Sequence, residues 1–400
     1  MIRVGFICDI FDLGGLELSC LEVIRRLNRS RFQPYLFTFR PGSLVSQARA
    51  LAVPVSIGYS KPASDTVWTD GDEHAREDYL KQLTSELVSC AIDVCVVYGW
   101  RDGIKAARDA GIAAVVERLD GPCLTNRIGD KSTCFKIICE SKTARDIVLA
   151  QRHSLRCRRQ QLTVIPNGID LHRFNPDSYD RTQCRMALGL QPDDFVVCSV
   201  ARLAPEKNLV HLLQAVRYLV DSEREAIGAN EPVNICALIV GPDGGCESQL
   251  KEEAERLAIA PQIRFLGPRA DIPEILCAAD AFALTSFTEG VSFAALEAMA
   301  MGLPIVVTQV GSLIETIDGN GFLVGVLRPE QTHKALWTLR CDSVLRRRMS
   351  RRSRILARRY DVGQMMMRYE EVLQHAYASS ANSGLGTTHR VASERNPSSS

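Results

Sequence analysis

Short apolar runs rich in β-branched residues alternate along this chain with helical patterns, and this alternation constrains the fold more than any other feature. Runs that are apolar throughout are typical of strands buried on both faces. A helix between successive strands is the usual connection in a parallel sheet. The alternation therefore predicts an α/β protein whose parallel sheets are flanked by helices.

The predicted strands form two successive series. In the first half they cover residues 3–8, 34–39, 53–58, 93–98, 113–117, 135–139 and 162–165, and in the second half residues 195–200, 235–240, 263–266, 281–285 and 304–308. Helical patterns lie between the strands, for example at 208–220, 246–257 and 293–301.

The two series predict two domains joined by a turn-rich linker at 166–176. Residues 1–166 form the first predicted domain, which a C-terminal helix of about 361–377 completes, and residues 167–360 form the second. The tail from 379 to 400 is polar and is predicted to be disordered. Because open parallel sheets bind at the carboxyl ends of their strands, we expect a ligand in a cleft between the two halves.

Composition excludes several classes of protein. Lys+Arg 48 against Asp+Glu 47 leaves almost no net charge, which argues against a general nucleic-acid binder. The first strand begins directly after Met1 without a signal sequence, so we expect a reducing, cytoplasmic location despite the 14 cysteines. Because no apolar run approaches the roughly 20 residues needed to span a bilayer, any membrane contact is expected to be peripheral.

The sequence contains none of the common motifs of zinc sites, zinc proteases, P-loop ATPases or serine hydrolases. C-x-x-C, H-E-x-x-H, P-loop and G-x-S-x-G patterns do not occur, and the histidines are scattered. We therefore expect no metal site and no resident cofactor.

Eight arginines lie between Arg346 and Arg359 at largely helical spacing, which predicts one strongly basic helix face. A solvated face is one interpretation. The other is contact with a polyanionic acceptor or with anionic lipid, which would place the protein at the inner membrane surface.

Two carboxylates bracket a predicted helix start. Glu289 lies before Gly290, which permits a tight turn, and Glu297 lies about one helical turn inside. The backbone amides of Val291, Ser292 and Phe293 would lack intrahelical partners, and free amides at a helix N-terminus attract phosphate or hydroxyl oxygens. Because the surrounding residues are small and apolar, we expect the helix to be buried nearly all round and its carboxylate to need a partner. Hydroxyl and diphosphate recognition together favour a nucleotide-sugar site.

Basic residues and glycines follow other predicted strands. Arg202 and Lys207 could converge on a diphosphate and stabilise the charge of a departing nucleoside diphosphate. Gly14 and Gly15 open a helix after the first strand and would allow close approach of a ligand. The turn at 241–245 is interpreted as structural.

Together these residues resemble the retaining glycosyltransferases of family 4, the glycogen-synthase-like group. The likeness runs from Gly14 to near Tyr369, and its most specific segments are 164–176, 201–208 and 286–300. The resemblance implies the GT-B fold, in which two Rossmann-like parallel-sheet domains face each other across a cleft.

The resemblance also implies roles for individual residues. Arg202 and Lys207 would bind the diphosphate of a UDP- or GDP-sugar, Glu289 the sugar hydroxyls, and Glu297 the ribose. The nucleotide base would stack near Arg269. A hexose-type sugar would pass with retained configuration to a glycan, lipid-linked or small-molecule acceptor in polysaccharide biosynthesis.

Many members of the family have a histidine after the strand that here precedes residue 121, and this chain has none there. It offers Arg118 and Asp120 in that region, and Asp120 is a candidate for orienting the acceptor hydroxyl. Two alternatives stay open, a nucleotide-sugar epimerase on the same fold and a catalytically idle carbohydrate-binding scaffold.

Overall fold

The computed structural model describes residues 1–12, 14–58, 70–120, 132–228 and 231–382. The chain divides into two compact units. The first comprises Met1–Pro166 together with the chain from Gly363 onward, and the second comprises Asn167–Val362.

The first unit is built on a parallel sheet. Its strands are β1 (Ile2–Ile10), β2 (Phe32–Arg40), β3 (Val55–Ile57), β4 (Val94–Tyr98), β5 (Val115–Leu119), β6 (Lys136–Cys139) and β7 (Leu162–Val164). Its helices are α1 (Gly15–Arg26), α2 (Val45–Ala50), α3 (Asp70–Ser89), α4 (Arg101–Asp109) and α5 (Lys142–Ala150). The seven described strands lie in the order β3-β2-β1-β4-β5-β6-β7.

The second unit repeats this architecture. Its strands are β8 (Phe195–Val200), β9 (Ile235–Val240), β10 (Ile263–Gly267), β11 (Ala281–Leu284), β12 (Ile305–Thr308) and β13 (Gly321–Val324). Its helices are α6 (Arg181–Ala187), α7 (Leu209–Ile227), α8 (Glu247–Arg256), α9 (Ile272–Ala278), α10 (Phe293–Ala300), α11 (Pro329–Cys341) and α12 (Ser343–Ala357). The six described strands are parallel in the order β10-β9-β8-β11-β12-β13.

Helix α13 (Val362–Asn382) follows and belongs almost entirely to the first unit. It is longer than the helix predicted from the sequence. Residues 379–382, which were predicted to begin a disordered tail, are its last turn. The rest of the predicted tail lies outside the described residues.

Both faces of the second sheet are buried, as expected for parallel strands between helices. Val196 and Cys198 of β8 pack into one hydrophobic core with α10, whereas Phe195 and Val197 pack into another with α7 and α11. Successive strand residues point to opposite faces, so one apolar run supplies both cores. This double burial explains why β8 reads as a continuous apolar run.

The strand that sequence analysis missed is β13. It has four residues, begins at Gly321 and is only half-buried over most of its length. A Cβ at Gly321 would lie 1.8 Å from the carbonyl oxygen of Ile305, so glycine lets this edge strand approach β12. A short edge strand beginning with glycine carries too little β-propensity to predict.

Candidate functional site

The candidate site of the second unit lies where the strand order of its sheet reverses. The chain crosses from the β8–β9–β10 side to β11 on the opposite side of β8, so the connections after β8 and β11 diverge in opposite directions. Ligands of open parallel sheets bind at such a switch point, beyond the carboxyl ends of the strands. The loop after β8 carries Arg202 and Lys207, and the loop after β11 carries Glu289.

Lys207 and Glu289 are in direct contact. The Nζ atom of Lys207 lies 2.7 Å from Oε1 of Glu289, and the two side chains are 22% and 10% exposed. The Ser286 hydroxyl also donates to Oε1 of Glu289 at 2.7 Å. The structure therefore brings a cation and an anion that are 82 positions apart in the sequence into contact at a partly exposed site.

Hydrogen bonds to the backbone fix these loops to one another. The amide of Phe287 donates to the carbonyl of Glu206 at 2.9 Å, and the Thr285 hydroxyl donates to the carbonyl of Asn208 at 3.0 Å. The Thr308 hydroxyl at the end of β12 donates to the carbonyl of Ser286 at 2.7 Å. Three adjacent strand ends thus hold Lys207 and Glu289 in register.

Arg202 lies on the same loop as Lys207 but has a different partner. One guanidinium nitrogen is 2.6 Å from Oε1 of Glu206. Desolvation acts to raise the pKa of Glu206, but backbone hydrogen bonding and the Arg202 guanidinium outweigh it and lower that pKa. Arg202 is half exposed, so it is held near the switch point while its guanidinium stays accessible to solvent.

Helix α10 begins as the sequence predicted. Ser292 is its N-cap, and its hydroxyl accepts from the amide of Ala295 at 3.4 Å. Among the described residues, the amides of Val291, Ser292 and Phe293 make no hydrogen bond. This helix start therefore offers unsatisfied donors next to Glu289. Gly290 is not among the glycines of positive φ, so the tight turn expected there does not depend on left-handed backbone.

Helix α10 has no exposed residue, which fits the prediction that it is buried nearly all round, but one face is only half-buried. Phe293, Ala294 and Glu297 are half-buried and share a face at i, i+1 and i+4 spacing, whereas the other residues of the helix are buried. No hydrogen bond or ion pair to the Glu297 side chain occurs within the described part of the chain. Desolvation raises the pKa of Glu297 to about 7, and the positive charge of Arg173 partly opposes that rise. The carboxyl therefore lacks the protein partner that the sequence analysis expected, and it is protonated more easily than an exposed glutamate.

Three further residues support the site, and sequence analysis had assigned a role to only one of them, Gly241, as part of a structural turn. The Asn167 side chain donates to the carbonyl of Val291 at 3.2 Å and so fixes the start of α10. At Gly311, φ is +46°, and a Cβ there would lie 1.9 Å from the carbonyl oxygen of Glu289. At Gly241, φ is +148°, and a Cβ would lie 2.0 Å from the carbonyl oxygen of Ala201, directly before Arg202. The motifs contained these residues, but their long-range contacts had no sequence signal.

The turn at 241–245 supports the loop of Arg202. The amide of Leu203 donates to the carbonyl of Pro242, and the amide of Gly244 returns a hydrogen bond to the carbonyl of Leu203, both at 2.9 Å. The Asp243 carboxylate accepts from the amides of Gly245, Cys246 and Glu247 at the start of α8. These contacts fit the structural role that the sequence indicated.

Arg269 follows β10 at the same edge of the sheet. It forms a two-pronged ion pair with the Asp271 carboxylate, whose Oδ1 atom lies 2.7 Å from Nε of Arg269. No contact joins it to Lys207 or Glu289 in the described residues. Its predicted place beside a nucleotide base therefore stays a prediction.

Gly14 and Gly15 lie at the equivalent edge in the first unit, where the strand order reverses between β1 and β4. Gly14 is the N-cap of α1. A Cβ at Gly15 would meet no atom within 4 Å. Packing alone therefore does not require glycine at Gly15, and the space above it is open.

Asp120 follows β5 in the first unit and forms an ion pair with Arg118, which is fully buried. Arg118 also donates to the carbonyl of Ile165 at 2.7 Å and lies over the ring of Tyr369 on α13. Burial raises the pKa of Asp120, and the charge and hydrogen bond of Arg118 oppose that rise. The ion pair thus fixes the orientation of the Asp120 carboxylate.

No group of three or more His, Cys, Asp and Glu side chains in the described ranges could hold a metal ion. The positive charge at the candidate site comes from Lys207, Arg202 and the α10 amides.

The fold and the second unit have clear relatives. Residues 180–355 match the sequence profile of the family described as "Glycosyl transferases group 1". The structure of Anabaena Alr3699/HepE in complex with UDP superposes with a TM-score of 0.78 at 21% identity, covering 94% of this chain and 100% of that chain. The two parallel α/β sheets and this likeness confirm the GT-B fold.

Two sequence relatives illustrate the range of similar proteins. The UDP-Gal:alpha-D-GlcNAc-diphosphoundecaprenol alpha-1,3-galactosyltransferase of Escherichia coli is 30% identical over 249 residues, covering 56% of this chain and 62% of that protein. The lipopolysaccharide core biosynthesis mannosyltransferase LpsB of Rhizobium meliloti (strain 1021) is 33% identical over 174 residues, covering 44% of this chain and 48% of that protein. The matches thus span less than two thirds of each relative.

Proposed function

We propose that this protein is a glycosyltransferase that moves a hexose-type sugar from a nucleoside diphosphate to an acceptor hydroxyl with retention of anomeric configuration. The observation that carries the proposal is the contact of Lys207 with Glu289 beside the free amides of α10. Two opposite charges and helix N-terminal donors match the two parts of such a donor, its diphosphate and its sugar hydroxyls.

Each group has a distinct role in the proposed reaction. Lys207, Arg202 and the amides of Val291, Ser292 and Phe293 bind the diphosphate, and Glu289 accepts hydrogen bonds from the sugar hydroxyls. Glu297 accepts from the ribose, and Gly290 and Arg269 complete the donor site of the second unit. In the first unit, Gly14 and Gly15 allow close approach of a ligand. This positive field is sufficient for the leaving group, so the reaction requires no metal and no cofactor.

The proposed chemistry breaks the bond between the anomeric carbon and the diphosphate oxygen, and the electron pair leaves with the nucleoside diphosphate. The acceptor oxygen bonds to the same face of the anomeric carbon, and the departing phosphate takes its proton. Asp120, fixed by Arg118, orients the acceptor hydroxyl. Full turnover in Asp120→Asn, which preserves shape but removes the charge, would contradict that role.

The relatives suggest which donors and acceptors to test. Two of the similar structures are complexes with UDP and with UDP-glucose. One similar protein is a galactosyltransferase whose name gives a diphosphoundecaprenol-linked sugar as acceptor. We propose a UDP- or GDP-sugar as donor and a glycan, a lipid-linked sugar or a small molecule as acceptor, in polysaccharide biosynthesis in the cytoplasm.

The decisive experiment supplies the full chain with UDP-, GDP- and ADP-sugars, with and without a panel of lipid-diphosphate-linked sugars and free glycosides. Nuclear magnetic resonance then reads the anomeric configuration of any product. Transfer with retained configuration supports the proposal, and inverted configuration contradicts the mechanism. An isomerised donor formed without acceptor identifies an epimerase, and tight donor binding without any turnover across the panel identifies an idle scaffold.

A further inference from the structure

Helix α12 has an exposed face that is strongly basic and lacks acidic partners. Three arginines of α12 and two of the 3-10 turn that follows it (Arg358–Tyr360) have no carboxylate partner in the described part of the chain. These five are Arg347, Arg348, Arg351, Arg358 and Arg359, and all are exposed. The other three arginines of the cluster are used by the fold.

The two arginines that form ion pairs lie at the edges of this face. Arg352 binds Asp318 and Arg354 binds Asp177, while Arg346 is half-buried and donates to the carbonyl of Leu339. At about 100° per residue, the three unpaired arginines of α12 fall within a sector of about 100°, and Arg352 and Arg354 flank it on either side. Arg358 and Arg359 follow in the 3-10 turn. Ion pairing therefore neutralises the margins of this face and leaves its centre positive.

Two aliphatic side chains lie within the same sector. Val344 is 67% exposed and Ile355 is 53% exposed, and both project among the unpaired arginines. The opposite side of α12 is buried through Met349, Leu356 and Ser353, whose hydroxyl donates to the carbonyl of Leu303 at 2.6 Å. The helix is therefore firmly held, and its exposed side is free to bind.

We propose that this face of α12, from Val344 to Arg359, docks the protein on an anionic lipid bilayer. Five guanidinium groups suit a surface of lipid phosphates, and two aliphatic side chains suit insertion among the headgroups. No helix in the described ranges has the length and apolar content to cross a membrane.

Charge complementarity favours a bilayer over other anionic partners. The net charge of the whole chain is only +1, so attraction to an anion must come from a local concentration of charge. A soluble glycan or polyphosphate would engage the arginines but gain nothing from Val344 and Ile355. A bilayer engages both.

Flotation of the full-length protein with vesicles tests the proposal. We expect binding to vesicles of phosphatidylcholine mixed with phosphatidylglycerol, weakening at high salt, and little binding to phosphatidylcholine alone. Arg348→Glu with Arg351→Glu reverses two unpaired charges and should lower the partition coefficient about tenfold or more. Val344→Ser with Ile355→Ser should retain binding at low salt and lose it at high salt.

The matched control is Lys105→Glu with Arg108→Glu on α4. These residues are also exposed, three positions apart and without an acidic partner in the described residues, so the charge change is equal. Equal loss of vesicle binding in both double variants would overturn the proposal, as would wild-type protein that binds soluble polyphosphate but not anionic vesicles. Wild-type salt behaviour in the serine variant would overturn the insertion of Val344 and Ile355.

This proposal does not rest on the sugar-transfer reaction. The affinity of Arg348→Glu with Arg351→Glu for UDP in solution should equal that of the wild type, because neither residue belongs to the donor site. Loss of vesicle binding with unchanged UDP affinity would locate the effect at the α12 face.

Discussion

Lys207 is held at the candidate site by its ion pair with Glu289. We expect Lys207→Ala to lower kcat/KM for transfer by about 100- to 1,000-fold, because the variant lacks the positive charge that stabilises the departing diphosphate. Steady-state kinetics measures the effect, and circular dichroism checks the fold. Lys251→Ala is the control, since it removes a lysine from an exposed pair with Glu247 in the same unit. A similar rate loss in both variants would contradict the assignment.

Glu297 predicts a pH dependence of stability. Burial raises the pKa of Glu297 from 4.5 to about 7. Between these two pH values the carboxyl is ionised in the unfolded chain but still protonated in the folded one. The free energy of unfolding therefore falls as the pH rises from about 4.5 to about 7. Glu297→Gln should therefore raise the free energy of unfolding by about 1–3 kcal/mol at pH 8 and by little at pH 4. Urea unfolding of both proteins at the two pH values measures the difference.

The same Glu297 substitution should weaken nucleotide binding, because an ionised carboxylate accepts two hydroxyl hydrogen bonds whereas an amide oxygen is a weaker acceptor. A variant that gains stability and keeps full UDP affinity would exclude the ribose role. A stability gain that is equal at both pH values would instead exclude the raised pKa.

At the scale of elements, the loop after β12 holds the loop after β11 in place through Gly311. We expect Gly311→Ala to displace the backbone of Glu289 and to lower both stability and UDP affinity, because its Cβ would overlap the Glu289 carbonyl oxygen. Gly319→Ala is the control. Gly319 also has positive φ, +74°, but its Cβ would approach no atom closer than 4.0 Å. Equal loss of affinity in both variants would mean that backbone strain alone explains the effect.

Sequence analysis placed α10 and its start correctly because apolar periodicity is a local signal. It did not predict that one face of α10 is only half-buried or that the Glu297 side chain has no partner in the described residues. It also missed β13, whose four residues gain their stability from pairing with β12. Both failures arise where contacts distant in sequence decide the outcome.

At the scale of the whole molecule, a ligand that binds only the native state should raise the melting temperature. We expect UDP or GDP to stabilise the full chain by about 2.7 kcal/mol at a concentration of 100 Kd, and ADP to do so less at equal concentration. Thermal denaturation with each nucleotide measures this, and Lys207→Ala provides the control, in which the shift should shrink. Absence of stabilisation by any nucleoside diphosphate would contradict the proposed donor class.

Local patterns in the sequence predict two series of buried strands joined by helices, and with them the loops at the strand ends that carry Arg202, Lys207 and Glu289. Apolar runs and helix starts are local patterns, so neighbouring residues are enough to predict them. The folded chain alone reveals that Lys207 contacts Glu289, that the half-buried Glu297 side chain has no partner in the described residues, and which arginines of α12 are unpaired there. These features depend on strand order and on contacts between distant segments, which side-chain periodicity does not encode.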